Sequence, residues 1–327
     1  VTARLHVDLD QLAANIARVR ATVAPAELML VVKDDAYGHG LEQVVRTATA
    51  VGVSWFGAFD VRTGRGVREV VGPEARIFTW IAASRDDVDA AIDDRLDIGV
   101  GDAALLEDIA DAAAASGAAA RIHLKIDTGL HRNGVRPEEW ASFVARAAQL
   151  EAAGLVDVVG AWSHIAEASD EEDDAARAIF EQALTQATAA GLRPRMRHLA
   201  ASAASYARAE FRYDMVRVGA FCYGIRSAGG PDAAELGLAP AARLEADVLS
   251  VADGEVTVGI GALEGLPSVL AGRARVGTPA GPRRVLEIGA RTCVEAWPGA
   301  VAGDTVTVFG PGGGRDGEPP PQDQQIG

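Results

Sequence analysis

Several things ordinarily plentiful in a chain of this length are scarce here. Among 31 basic residues only two are lysines, Lys33 and Lys125, and every other cation is arginine. A lysine that persists in such a background marks a place where an amine must lose its proton and act as nucleophile or base, which a guanidinium cannot do. Cysteine is equally rare. Cys222 and Cys293 are the only two, which argues against a disulfide framework and for a reducing compartment, the cytoplasm. No apolar run approaches the roughly 20 residues of a bilayer span, and no leader-like segment opens the chain. Basic charge is also in deficit, with 46 acidic residues against 31 basic and a formal net charge of −15. Nucleic acids and anionic membranes both demand a basic face, so neither is an expected partner and small-molecule chemistry is favoured.

What is present is an ordinary globular composition, 49% hydrophobic and 24% charged over 327 residues. That length predicts two domains, or one large barrel with an appendage. Over the first two thirds, short β-branched or aromatic runs alternate with Ala-rich helical stretches. The runs 27–33, 54–60, 76–82, 97–101, 120–127, 156–164, 196–200 and 215–224 read as strands, and 9–23, 103–117, 138–154 and 171–191 read as helices. No Gly-rich dinucleotide fingerprint follows the first run, so the pattern predicts a parallel (β/α)8 TIM-type barrel over residues 1–228 rather than an open doubly wound sheet. A Gly/Pro/Ala-rich linker follows at 229–243. Closely spaced strand-like runs at 244–251, 255–261, 269–277, 284–289 and 304–310 then predict a C-terminal all-β domain over 244–310. The stretch 311–327 has little to bury and reads as a disordered tail.

In an αβ-barrel the reactive side chains project from the C-terminal ends of the strands. Lys33, Lys125, His164, Ser202 and Arg217 each fall at or just after the end of a different run, with Arg132 shortly beyond the second lysine, so the fold would bring them to one mouth. A strand-end lysine drawn into a low-dielectric site loses proton affinity and can form an imine with an aldehyde, and pyridoxal phosphate is the obvious aldehyde. That cofactor also needs a face for its ring, donors for its phosphate and a residue on its pyridine nitrogen. His164, Tyr37 with Ser202, the turn at Gly219, and Arg217 supply those types.

Five segments in order, VVKDDAYGHG (31–40), KIDTGLHRNGV (125–135), WSHIAEAS (162–169), RHLAASAAS (197–205) and DMVRVGAFCYGI (214–225), resemble the successive motifs of the alanine racemases. Those are pyridoxal-phosphate enzymes with an N-terminal αβ-barrel and a C-terminal β-domain. The resemblance implies that Lys33 forms the imine and acts as base on one face of the substrate α-carbon. It assigns Tyr37, Ser202, Gly219 and Ala220 to the phosphate and adds Tyr223 to the cofactor-binding set. His164 would lie beside the ring, Arg217 would face the pyridine nitrogen, and Arg132 would bond the phenolate oxygen. Lys125 matches a lysine often carbamylated in the family. A guanidinium on the pyridine nitrogen cannot hand over its proton, which leaves the ring a weaker electron sink suited to reversible proton exchange. The resemblance further implies a small amino-acid substrate, a head-to-tail homodimer and no metal.

One part of the pattern is broken. The family's second base is a tyrosine on the β-domain, in a G-Y-x-D-G-x-P context. The corresponding stretch here is VGIGALEGLP (258–267), where Ile260 or Ala262 stands in that place, and the four tyrosines all lie at or before Tyr223. The family's Met-Asp pair is replaced near RTCVE (291–295), and the family's C-terminal tyrosine lies beyond the end of this sequence. The expectation is therefore alanine racemase chemistry with one face of the carbanion impaired, or with Glu264 or water substituting. The alternatives are a single-base pyridoxal-phosphate enzyme of another reaction type, and a cofactor-binding homologue without turnover. A metal-dependent barrel hydrolase bridged by carbamylated Lys125 lacks its His-x-His motif.

Overall fold

The computed structural model describes residues 2–227 and 230–310. The expected tail at 311–327 and the first residue of the expected linker lie outside these. Among the described residues, contacts divide the chain into two units, a barrel unit of residues 13–222 and a β unit of residues 2–12 with 223–227 and 230–310.

The chain begins with strand β1 (Ala3–Val7) and helix α1 (Leu9–Val23). Eight parallel strands then close a barrel in sequential order: β2 (Glu27–Val31), β3 (Trp55–Asp60), β4 (Arg76–Ile81), β5 (Asp97–Val100), β6 (Ala120–Lys125), β7 (Val156–Trp162), β8 (Met196–His198) and β9 (Met215–Val218). Closure comes from β9 pairing with β2, where Met29 stands opposite Arg217. Most strands are near-continuously buried runs, as expected of parallel strands covered on both faces. Inside the barrel Met29, Trp55, Phe78, Trp162 and Met215 pack together, all buried.

A short turn, α2 (Lys33–Tyr37), and helices α3 (Leu41–Ala50), α4 (Val61–Val71), α5 (Arg85–Asp93), α6 (Ala103–Ser116), α7 (Pro137–Ala152), α8 (Asp170–Ala189) and α9 (Ser202–Ala207) fill the connections. Their starts are written locally. The side chains of Asp60, Ser84, Asp102 and Ser169 accept the backbone N–H three residues on, opening α4, α5, α6 and α8. Pro137 occupies the first turn of α7, where its missing N–H costs nothing. Helix α6 buries Leu106, Ile109, Ala110 and Ala113, the i, i+3, i+4, i+7 stripe of an outer-layer helix.

The second unit is antiparallel. Strands β10 (Ala242–Ala252), β11 (Glu255–Val258), β12 (Arg275–Val276), β13 (Arg283–Ile288), β14 (Thr292–Glu295) and β15 (Thr305–Phe309) join β1 in the order β1-β10-β11-β14-β13-β12, with β15 also on β10. Their inward residues, among them Val248, Val256, Val258, Val285 and Val294, form one core that Ile260 joins from beyond β11.

Three details differ from the sequence reading. Residues 3–7 pair with β10 through Ala3–Ala246 to Val7–Ala242, so this segment, expected within the barrel stretch 1–228, belongs to the β unit. Of the run 269–277 only Arg275–Val276 is strand, β12, preceded by the end of a 3-10 turn (Ser268–Leu270) and a further turn. Strand β14 falls between the expected runs.

Candidate active site

The barrel delivers the two lysines by different means. Lys125 ends β6, is 6% exposed, and sets its ammonium 4.5 Å from the centre of the Trp162 ring. Burial lowers its pKa to about 8, and the Arg132 and Arg217 charges push the same way. At pH 7 roughly a tenth of such amines are neutral.

Lys33 opens α2, a turn wound the wrong way. Asp34, Asp35, Ala36 and Tyr37 all have φ between 53° and 56°, a left-handed conformation costing L-residues roughly 1–2 kcal/mol each. Asp tolerates it best, and two of the four are Asp. The turn is held by backbone bonds from Gly38 N to Asp34 O (2.9 Å) and from Gly40 N to Asp35 O (3.0 Å), and by Asp35 Oδ1 accepting from Leu41 N (2.7 Å) at the start of α3. His39 Nδ1 adds contacts of 3.1 and 2.9 Å to the Ala36 and Tyr37 carbonyls. The result sets the Lys33 amine 5.6 Å from the centre of the Tyr37 ring, with the lysine side chain 42% exposed. Unlike Lys125, this amine is open to a ligand.

Tyr37 reaches back to β9. Its hydroxyl stands so close to Gly219 that a Cβ there would lie 2.2 Å from it, and burial pushes the phenol well above its ordinary pKa. Gly219 and Ala220 head a 3-10 turn in which Cys222 N–H donates to Gly219 O (2.8 Å). Ser202, the first residue of α9, is half-buried.

Arg217 is the most tightly held member, 3% exposed. Its Nη2 donates to the carbonyls of Ser163 (2.8 Å) and Leu199 (2.9 Å) and lies 3.3 Å from His164 Nδ1, while Nη1 donates to His198 Nδ1 (3.1 Å). Burial and the Arg132 charge bring the guanidinium down to about 9, against the pull of Glu167. His164 is lowered to about 3, first by burial and then by Arg217, Arg132, Lys125 and Lys33. The imidazole is therefore neutral throughout the physiological range.

The barrel unit thus brings together Lys33, Tyr37, Lys125, His164, Arg217 and Gly219, with Arg132 near enough to act on Lys125, His164 and Arg217. Arg132 itself is exposed, on a loop that Asp127 organises by accepting from Gly129 N, His131 N and His131 Nδ1, each at 3.0 Å. Tyr223 falls in the other unit, where its carbonyl accepts from Ala241 N (3.0 Å). Sequence reasoning did not single out Asp127, Trp162 or His198. His198 lies inside one of the quoted motifs, so position relative to a strand end was a usable signal for it. In a protein of net charge −15, four cations converge on one barrel mouth, a site built for an anionic ligand.

A closed αβ-barrel and an antiparallel β unit in one chain, with an accessible lysine and a buried arginine on the barrel, define a class of two-part barrel proteins. The profile of the alanine racemase N-terminal domain matches residues 7–227. The alanine racemase of Beutenbergia cavernae is 37% identical over 97% of this chain and 90% of its own length. The crystal structure of the alanine racemase from D-cycloserine-producing Streptomyces lavendulae aligns with a TM-score of 0.90 at 31% identity, covering 95% of this chain and 88% of that one. A more distant structure shares the fold at TM-score 0.83 and 21% identity, over 95% and 90% of the two chains: the alanine racemase of Bartonella henselae with covalently bound pyridoxal phosphate. The chain belongs to the alanine racemase family.

Proposed function

We propose that the protein is an isomerase that interconverts L- and D-alanine with pyridoxal 5'-phosphate, and that one direction of proton delivery is impaired. Family membership carries the reaction class. The observation that carries the cofactor is the cradle formed by Tyr37 against the bare Gly219 backbone, with Lys33 on one side and Arg217 held by four contacts on another. The residues present fit that group.

Lys33 would hold its aldehyde, Arg217 its ring nitrogen and His164 its ring face. Tyr37, Ser202 and the Gly219 and Ala220 N–H groups would hold its phosphate, and Arg132 its phenolic oxygen. Tyr223 stays in the proposed cofactor set on resemblance alone. When bound, the group supplies an electron sink that acidifies the substrate α-carbon. Arg217 donates and never protonates its partner, which keeps that sink weak. The neutral His164 packs without adding charge. Lys125, with its lowered pKa, is the amine that would combine with carbon dioxide, and the resulting carboxylate would orient Arg132. Lys33 takes and returns the α-proton on one face.

The other face has no phenol. Ile260 is 2% exposed in the β-unit core, Ala262 carries no acid or base, and Glu264 is engaged, accepting from Gly261 N (2.9 Å) and lying 3.4 Å from Arg291 Nη1. The expected result is that α-deuterium exchange in heavy water is fast from one alanine enantiomer and about 10²–10⁴-fold slower from the other. Fast exchange from both would remove the handicap. No exchange from either would favour the cofactor-binding reading without turnover. A yellow adduct on incubation with pyridoxal phosphate, fixed to Lys33 by borohydride and absent in Lys33→Ala, tests the cofactor itself.

We also propose a cytoplasmic homodimer. Both cysteines are free, no helix among the described residues is long and apolar enough to cross a membrane, and Leu263 and Val269 stand 82% and 61% exposed on the β unit, as a subunit interface would need.

A further inference from the structure

Behind Arg217 a line of buried polar groups crosses the barrel interior, an unusual content for a space otherwise filled by Met29, Trp55, Phe78 and Trp162. His198 Nδ1 meets Arg217 Nη1 at 3.1 Å, and its Nε2 meets His123 Nδ1 at 2.8 Å. His123 Nε2 then faces Asp97 Oδ2 at 3.6 Å. Asp97 is clamped at the other rim by Arg76 Nη2 (2.7 Å) and Arg121 Nε (2.6 Å). His123, His198 and Asp97 are each 0% exposed. Gly160 makes the room: a Cβ there would lie 2.2 Å from His123 Nδ1.

The line has only one consistent direction. Arg217 can only donate, so His198 Nδ1 must accept and its Nε2 must carry the hydrogen. His123 Nδ1 must then accept, leaving its own hydrogen on Nε2, which faces the Asp97 carboxylate at 3.6 Å, beyond hydrogen-bond length but near enough for its charge to favour that tautomer. Burial lowers the pKa of both rings and so favours their neutral forms, and Trp162 stacks on His198 with an interplanar angle of 3°. Carboxylate and guanidinium thus face one another through two neutral imidazoles whose tautomers they jointly dictate.

We propose that Asp97 and His123 are positioning residues that hold His198 in its Nε2–H tautomer and thereby fix the Arg217 guanidinium at the barrel mouth. The consequence for turnover rests on the racemase reading above; the tautomers do not. Imidazole ¹⁵N NMR on the full chain, selectively labelled at histidine, decides the first part with or without cofactor. Two rings, identified by their loss in His123→Asn and His198→Asn, should remain neutral and Nε2-protonated from pH 8 to pH 5.5. An Nδ1–H tautomer or a protonated ring at either position in that range overturns the proposal.

The second part uses two variants of the holoenzyme. His123→Leu deprives His198 Nε2–H of its acceptor and should scatter the His198 tautomer signal and lower kcat about tenfold or more, since a buried donor is stranded. KM for alanine should change less than about threefold on the same reasoning, because the substrate is not touched. His123→Asn, whose amide oxygen can stand where Nδ1 stood, should restore both signal and kcat to within about threefold. If Asn is as impaired as Leu, or if Leu leaves the His198 signals unmoved, the relay is mere packing. Should His123→Leu not fold, the wild-type tautomers still decide. A protein that shows the tautomers but takes up no pyridoxal phosphate would sink the functional reading and leave this one standing.

Discussion

At the scale of single residues, the two lysines divide two demands on one functional group. Lys33 is exposed enough to meet a ligand, whereas Lys125 is buried against Trp162 and surrounded by guanidinium charge. A carbamate forms only from the neutral amine, and lowering the pKa to about 8 enlarges that fraction at neutral pH. The amount formed should therefore rise with pH up to about 8 and level off above it. In ¹³C-bicarbonate a carbamate resonance should appear in the wild type and vanish in Lys125→Arg, whose side chain has no deprotonated form to offer. A wild-type spectrum without that resonance at pH 8 would remove Lys125 from the proposed machinery. Single-residue chemistry of this kind was the most legible part of the sequence, because scarcity singled out both lysines before any fold was known. Asp97 and His123 were not legible. A polar residue inside a buried strand looks like an interruption of an apolar run until its partners across the barrel are seen.

At the scale of elements, most of the barrel strands could be read because they are short, nearly unbroken buried runs between helices, β8 with only His198 buried being the exception. Strand β1 could not be read that way. Its sequence, ARLHV, is exposed or half-buried along its length, and its partner β10 begins only after the entire barrel has been traced. The four-residue β14 was too short to show an alternation. The left-handed α2 turn was equally invisible, because no composition rule anticipates four consecutive positive φ values in Asp-Asp-Ala-Tyr. Its stability comes from specific bonds, and Asp35 carries two of the needs at once: it tolerates the left-handed region and its carboxylate accepts from Leu41 N (2.7 Å). Asp35→Ala should lose both and destabilise the protein by about 1–2 kcal/mol in urea unfolding. Asp35→Asn, which also tolerates that region and can accept the same bond, should retain most of the stability. Equal losses for the two variants would show that the turn is held by its backbone bonds alone.

For the molecule taken whole, the barrel unit carries a burden of imidazoles that must stay uncharged. His39, His123, His164 and His198 all have pKa values depressed below the ordinary 6.5, each principally by burial, with His164 brought to about 3. In the unfolded chain these groups bind protons below pH 6.5, while in the fold they do so only at lower pH. The unfolded state therefore takes up more protons as acid is added, and stability must fall. The contribution is fully present above pH 6.5 and is lost progressively as pH drops toward the folded values. For each ring the limiting slope is about 1.4 kcal/mol per pH unit. Carboxylates held below their usual range, such as Asp97, Asp127 and Asp214, add a similar loss only near and below pH 4. Glu167 and Asp173, raised by burial, oppose the loss by taking up protons in the fold first, so the decline from 6.5 to 5 comes from the histidines. Urea midpoints of the cofactor-free protein should rise slightly from pH 7 to 8, where Lys125 loses its proton in the fold before it does in the unfolded chain, and should decline steadily from 6.5 to 5. A midpoint that does not move over that last interval would mean the rings are solvated or already charged in the fold, and the directional relay behind Arg217 would lose its physical basis along with them.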